Sequence, residues 1–235
     1  MKRIVLIALI CMVAALPAQA ALFGYVDVKY TGVGPGGSIT ITSSGHSGGV
    51  LTGVYNLSLM NATNTYYGYL GDGSSNLFAV DAFCIDVWDY APGSFQNYSI
   101  VSLDSAPDPG AGPMGAIKAS HLAQLLDTYW NGPLDNITAS AIQIATWEVV
   151  DESTASYNVT SGSFKVSGNS SVITLVNTML GSITSGAPFN NYVALSNRTT
   201  SDKYQDYVVK TPVPTSVILG LLGLTVVGVK LRKYA

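Results

Sequence analysis

The hydrophobic period of the chain changes near residue 115, and this change limits the folds that it can adopt. Before that point apolar and polar residues alternate with period two, as in residues 25–30 and 38–42, which predicts strands. The glycine-rich runs at 34–37 and 45–49 are expected to break these strands. After residue 115, apolar residues recur at helical spacing. The first part is therefore predicted to be a β-rich half, residues 22–86.

Three helices are predicted after a Pro/Gly-rich loop at residues 106–115. Their apolar stripes place them at residues 115–130, 138–151 and 170–184, with Thr138 as the expected N-cap of the second. Short closing strands are expected after the helices. This order predicts an α+β fold, with a sandwich- or barrel-like β half and a packed helical subdomain of about three helices.

The two ends of the chain have the composition of targeting segments. Residues 1–20 combine Lys2 and Arg3, an apolar run and an Ala-Gln-Ala site, which predicts a secretory signal peptide cleaved after Ala20. Residues 212–235 hold an uncharged apolar run followed by a basic tail, which predicts an inner-membrane anchor with a cytoplasmic C-terminus. A single exported domain, residues 21–211, is expected between them.

The C-terminal layout of a Val-Pro motif, an apolar helix and a basic tail resembles the PEP-CTERM sorting signals of Gram-negative bacteria. This chain has Val-Pro-Thr-Ser at residues 213–216, where that family has Val-Pro-Glu-Pro. The resemblance implies an exported protein, held at the membrane or cell surface, whose tail an exosortase recognises. A plain C-terminal anchor is the alternative.

The charge balance of the predicted domain excludes some partners. The whole chain carries a formal charge of −3, from 11 basic and 14 acidic residues. Five of the basic residues lie in the two end segments, which leaves the exported domain with about −8. An acidic surface disfavours nucleic acid and anionic membrane surfaces as partners.

Cys84 is the only cysteine of residues 21–211, so it has no partner for an internal disulfide. Three interpretations of Cys84 are open: a buried apolar thiol, a catalytic nucleophile that needs a histidine as its base, or a thiol acylated by a side-chain amide. His46 and His121 are not in a papain-like setting, and one cysteine with two scattered histidines makes no metal-ligand cluster. Gln143 and Trp147 lie four residues apart on one helix face. We therefore hypothesise an internal thioester between Cys84 and Gln143.

These residues also carry a family resemblance. Phe83-Cys84 on a strand, followed 59 positions later by Gln143 in the helical segment 142–147, resembles the thioester domains of Gram-positive surface adhesins. The match in sequence is confined to these two short motifs, and Ile142 and Thr146 depart from that family's usual threonine and isoleucine. The resemblance implies that Cys84 and Gln143 are the bonded pair.

Such a bond predicts a single-use covalent adhesin rather than a turnover enzyme, without cofactor or metal. An amine, such as a lysine on a surface protein or extracellular matrix component, would become bonded to Gln143 and free Cys84. The expected supporting residues are Trp147, Phe83, Asp86 and His121. Of these, Asp86 and His121 are expected to polarise the attack. Water must be kept from the bond. The expected aromatic shield is Phe83, Trp88, Tyr129, Trp130 and Trp147.

Two further functional classes fit the composition. A non-covalent carbohydrate- or matrix-binding module would use tyrosines such as Tyr66, Tyr67 and Tyr69. A structural protein of a biofilm or envelope would need no chemistry at Cys84. The mass of the mature chain separates these classes, because a thioester makes it lighter by one ammonia.

Overall fold

A computed structural model describes residues 22–63, 77–107, 112–153, 156–197 and 204–211. The predicted signal peptide, the predicted anchor and the tyrosines at 66, 67 and 69 lie outside the described residues. Among the helices in the described ranges, none has the length and apolar character that a membrane span requires.

The described residues form an antiparallel sheet that closes on itself. The strands are β1 (Leu22–Ser43), β2 (His46–Thr63), β3 (Phe78–Cys84), β4 (Gln96–Ser102), β5 (Lys165–Ser167), β6 (Tyr192–Ser196) and β7 (Tyr207–Lys210). Their order is β2-β3-β7-β6-β4-β1-β5, and β1 also pairs with β2. Six strands therefore make a barrel-like ring, with β5 attached to the far part of β1. With the helices, this confirms the predicted α+β fold.

The β1–β2 hairpin is longer than the glycine pattern predicts. The run 34–37 does not end a strand, because β1 continues through it for 22 residues in all. A register shift between Val33 and Gly36 gives a bulge there, and Gly36 lies against the backbone of Gly53 on β2. A side chain on either glycine would collide with the facing strand, so glycine here permits a bend within the strand. The turn comes later, at Ser44 and Gly45.

The helices are α1 (Gly115–Tyr129), α2 (Asn136–Asp151) and α3 (Ser170–Gly181), close to the three predicted segments. The expected cap of the second helix is wrong by three residues. The N-cap of α2 is Asp135, whose Oδ1 accepts a hydrogen bond from the backbone N–H of Thr138 at 2.6 Å. The helix therefore begins two residues earlier than predicted, because its stronger capping residue lies upstream of the apolar stripe.

Helix α2 is the centre of the molecule. It packs against β1, β2 and β3 on one side and against α1 and α3 on the other. All residues from Ala139 to Val150 are buried, which is typical of a core helix rather than of an amphipathic surface helix. Its polar residues Gln143, Thr146 and Glu148 are therefore buried as well, and each needs a partner or has a cost.

Candidate functional site

Cys84 is the last residue of β3, two residues before the end of the predicted β-rich half. Its partner across the β3–β7 ladder is Tyr207, and the next residue, Ile85, donates its N–H to the carbonyl of Asp206 at 2.9 Å. The β2–β3 ladder ends earlier, at the pair Tyr55–Ala82. Cys84 consequently has a strand on one side only, and α2 lies on the other.

The side chain of Gln143 fills the place of the missing strand. Its Oε1 accepts a hydrogen bond from the Cys84 N–H at 2.9 Å, and its Nε2 donates to the Cys84 carbonyl at 2.7 Å. Both residues are fully buried. The two bonds leave the amide no orphaned polar atom and hold it flat against the backbone of Cys84. Gln143 and Cys84, 59 residues apart in sequence, are thus brought together.

This clamp also has a chemical consequence at the amide carbon. The Cys84 N–H polarises the Gln143 carbonyl, because it donates to the oxygen that would gain negative charge during attack on that carbon. The donor is a backbone group at the end of a β-strand and does not have to move. The arrangement therefore prepares the glutamine carbonyl for a nucleophile carried by the same residue that clamps it.

The sulfur of Cys84 is enclosed by the turn that follows it. Its thiol donates to the Asp86 carbonyl at 2.8 Å, and its sulfur accepts from the Asp86 N–H at 3.3 Å. Burial raises the thiol pKa well above its usual value, and the negative charges of Asp86 and Asp206 act in the same direction. The Asp86 N–H and the indole of Trp147 partly oppose this rise. At neutral pH the free thiol is therefore protonated.

Trp147 lies one helical turn after Gln143 and is 1% exposed. Its indole lies close enough to the Cys84 thiol to lower that thiol's pKa, while its Nε1 has no hydrogen-bond partner among the residues that the structure describes. Of the aromatic residues expected to shield the bond, Trp147 is the one that reaches the sulfur.

The other supporting residues contact different groups. Asp86 meets the sulfur through its backbone, and its carboxylate raises the thiol pKa instead of activating the thiol. His121 shares a 2.9 Å hydrogen bond with the hydroxyl of Tyr157. Phe83 packs its ring edge-on against Trp130 at 4.9 Å, and as the strand neighbour of Cys84 it faces the opposite side of the sheet.

The remaining members of the expected aromatic shield are dispersed. Trp88 stacks with His46 at 5.5 Å, and the Tyr129 hydroxyl donates to Ser182 at 3.2 Å. Trp130, besides Phe83, meets the ammonium group of Lys210 at 4.8 Å. These contacts serve the packing of separate parts of the core.

Tyrosines that sequence reasoning did not select lie beside Cys84 on the sheet. Tyr55 and Tyr207 lie on the same face of the sheet as Cys84, with their rings 5.7 Å apart, and Tyr30 and Tyr98 extend the row at either end. Burial, and the proximity of the thiol, raise the pKa of both Tyr55 and Tyr207. The alternation of these strands shows that the tyrosines face inward, but only the strand register places them beside Cys84.

A surface pocket of about 240 Å³ adjoins the site. One wall is the segment 85–89 that follows Cys84, and another is the end of α2. Its lining includes the three acidic residues Asp86, Asp89 and Asp151. Within the described ranges, no group of three or more His, Cys, Asp or Glu side chains is arranged to hold a metal.

Comparisons with protein-family models, with curated proteins and with solved structures found no match for this chain. What the site does is accordingly inferred from its own geometry.

Proposed function

We propose that Cys84 and Gln143 form an internal thioester and that the protein uses it once, to bond covalently to an amine on a partner. The observation that carries this proposal is the clamp of the Gln143 amide on the backbone of Cys84 through two hydrogen bonds. Because the fold already holds these two residues together, the entropic cost of bringing the thiol and the amide together is met before the reaction begins.

The proposed bond forms by a balanced acyl transfer. The Cys84 sulfur attacks the Gln143 side-chain carbon, and the carbonyl electrons move to Oε1, where the Cys84 N–H stabilises them. When the carbonyl re-forms, the carbon–nitrogen bond breaks and Nε2 takes up the thiol proton, so that ammonia leaves. A primary amine later attacks the same carbon, becomes an amide of Gln143 and returns a proton to the sulfur.

Burial supports storage of the bond. A thioester exposed to water is hydrolysed, and both partners here are 0% exposed in the core between α2 and the sheet. Burial raises the thiol pKa, which favours the protonated form of any thiol that aminolysis releases. After release the cysteine is protonated and weakly nucleophilic.

The partner proposed for this site is an amine-bearing protein on a surface or in an extracellular matrix. The acidic pocket beside Cys84 supports an amine over an anionic nucleophile, because carboxylates attract ammonium groups and repel anions. The exported, membrane- or surface-anchored location of such a protein rests on the two end segments, which stay predictions.

Intact mass spectrometry of the mature wild-type protein tests the proposal. The expected mass is one ammonia below that of the unmodified chain, and methylamine should replace this deficit with an adduct on Gln143. Cys84→Ala and Gln143→Ala are the controls, since each removes one half of the bond and should show neither deficit nor adduct. A wild-type chain with full mass and one titratable thiol would contradict the thioester. It would make the clamp a structural contact in a non-covalent binding or structural module.

A further inference from the structure

Trp147 carries a polar group whose position the packing of the core does not explain. Its side chain is 1% exposed, and its Nε1 has no hydrogen-bond partner within the described part of the chain. Leaving a buried N–H unpaired costs about 1–3 kcal/mol, so a core selected for stability alone would place an apolar ring here. Trp147 lies one helical turn after Gln143, whose amide is bonded to the backbone of Cys84, and its indole is close enough to the thiol to lower the thiol pKa.

The sulfur also accepts a hydrogen bond from the backbone. The backbone N–H of Asp86 lies 3.3 Å from it and is fixed by the turn after β3. The carbonyl oxygen of Gln143 has its own donor, the Cys84 N–H at 2.9 Å. Each atom that gains negative charge in the proposed acyl transfer thus has an N–H beside it before the reaction begins.

Resting on the proposed function, we propose that Trp147 is an anion-stabilising donor to the Cys84 sulfur, acting together with the Asp86 N–H, and not merely a wall of the pocket. The indole N–H forms its full hydrogen bond only when the sulfur carries negative charge. It is therefore a residue whose contact strengthens along the reaction, which is the condition for accelerating it.

The donor acts on both steps of the proposed chemistry. During formation, the sulfur loses its proton, attacks the Gln143 carbon, and ammonia leaves with the proton. During aminolysis the carbon–sulfur bond breaks and its electron pair stays on the sulfur, which then takes a proton from the incoming amine. In each step negative charge on sulfur is transient, and Trp147 lowers the free energy of that charged state.

The first test compares Trp147→Phe with Trp130→Phe. Trp130 is also largely buried, but it packs against Lys210 and against Phe83, whose side chain faces the opposite side of the sheet from Cys84. Both variants make the same substitution, so loss of packing affects both. We expect methylamine to react with the wild type and with Trp130→Phe at similar rates. Its reaction with Trp147→Phe should be slower, by a factor of up to about ten. Thermal unfolding of each variant identifies any that does not fold.

The second test needs no thioester. In a Gln143→Ala background the thiol is free, and the ultraviolet absorbance of its thiolate can be followed against pH, with a Cys84→Ala chain subtracted. The charged groups around the thiol are Asp86 and Asp206, with Tyr55 and Tyr207 on the strand face. Trp147→Phe should move the thiol titration to higher pH, whereas Trp130→Phe should leave it in place. A benzothiophene analogue of tryptophan at position 147 keeps the ring shape without the N–H and should behave like Trp147→Phe.

The two tests separate the two proposals. A wild-type chain of full mass would overturn the thioester, but the thiol titration would still show whether Trp147 is a donor. If the wild type is one ammonia lighter while Trp147→Phe and the analogue keep the wild-type methylamine rate and thiol titration, then Trp147 is only a packing residue. The donor role of Trp147 would also be overturned if Trp147→Phe reacts more slowly but the benzothiophene analogue, which lacks the N–H, reacts at the wild-type rate.

Discussion

Glu148, the residue after Trp147, allows a quantitative test of the burial in the structure. It is 0% exposed; its Oε1 accepts the Asn158 N–H at 2.6 Å, and its Oε2 has no hydrogen-bond partner among the described residues. Burial raises its pKa from 4.5 to about 7, the Asn158 N–H opposes this rise, and the charges of Glu152 and Asp151 add to it. The folded protein thus holds this proton more tightly than the unfolded chain does.

The sign of the effect on stability follows from that difference. Because the folded pKa lies above the unfolded one, the unfolded chain loses the proton first as the pH rises. The contribution of the protonated group is complete below pH 4.5, declines as the pH rises, and is lost above a pH of about 7. At about 1.36 kcal/mol per pKa unit, the decline amounts to about 3 kcal/mol at most.

The perturbation is Glu148→Gln, which keeps the shape and the Oε1 acceptor of the protonated acid. We expect urea unfolding to show the free energy of unfolding of the variant, relative to the wild type, rising by up to about 3 kcal/mol between about pH 4.5 and pH 8. A constant difference between the two proteins over this range would refute the reasoning. It would mean that Glu148 is hydrated in the folded state.

Glu152, one turn further along, is the matched control because its shift has the opposite direction. Burial raises its pKa, but the N–H groups of Ser163 and Ser153, with bonds of 2.9 and 2.8 Å, outweigh burial and lower the pKa below its usual value. Its contribution to stability is present above the unfolded pKa and is lost on acidification. Glu152→Gln should therefore be least stable relative to the wild type at neutral pH and should approach it in acid.

Three other outcomes follow from the structure and the proposed function. Cys84→Ala opens a 59-residue covalent loop, which on a loop-entropy argument lowers the free energy of unfolding by about 4 kcal/mol and the melting temperature by several degrees, measured by calorimetry; an unchanged melting temperature would contradict the bond. Asp135→Ala removes the α2 cap and should lower the urea midpoint of unfolding, while leaving the mass deficit in place. Asp89→Lys in the acidic pocket should slow methylamine capture severalfold at low salt, whereas Asp81→Lys on the exposed part of β3 should not; equal rates would separate the pocket from the reaction.

The elements of the fold were largely predictable because their local patterns agree with their final environment. The three helices lie within a few residues of the predicted segments, and β3 ends at Cys84, two residues before the predicted strand end. The glycine run at 34–37 was misread for a physical reason. Glycine ends a strand in a turn, but it also permits a bulge where two backbones touch, and only the facing Gly53 distinguishes the two cases.

The candidate pair was predictable from sequence, but its surroundings were not. The unpaired thiol of the predicted domain and the glutamine one turn before Trp147 could be selected without coordinates, and the structure places Cys84 and Gln143 in contact. The roles expected for His121 and Asp86 depended on distances that no sequence pattern carries. His121 is turned toward Tyr157, and the Asp86 backbone rather than its carboxylate reaches the sulfur.

The position of the clamp explains why this geometry needs the whole fold. Gln143 can reach the backbone of Cys84 only because β2 has already left the ladder at Tyr55, and because the buried helix α2 fills the space that a further strand would occupy. Neither the hairpin nor the helix creates the contact alone. An unfolded chain holds the thiol and the amide 59 residues apart in water, where neither is polarised. The reactive pair is therefore a product of tertiary packing, and a thioester here would form after the sheet closes around α2, not before.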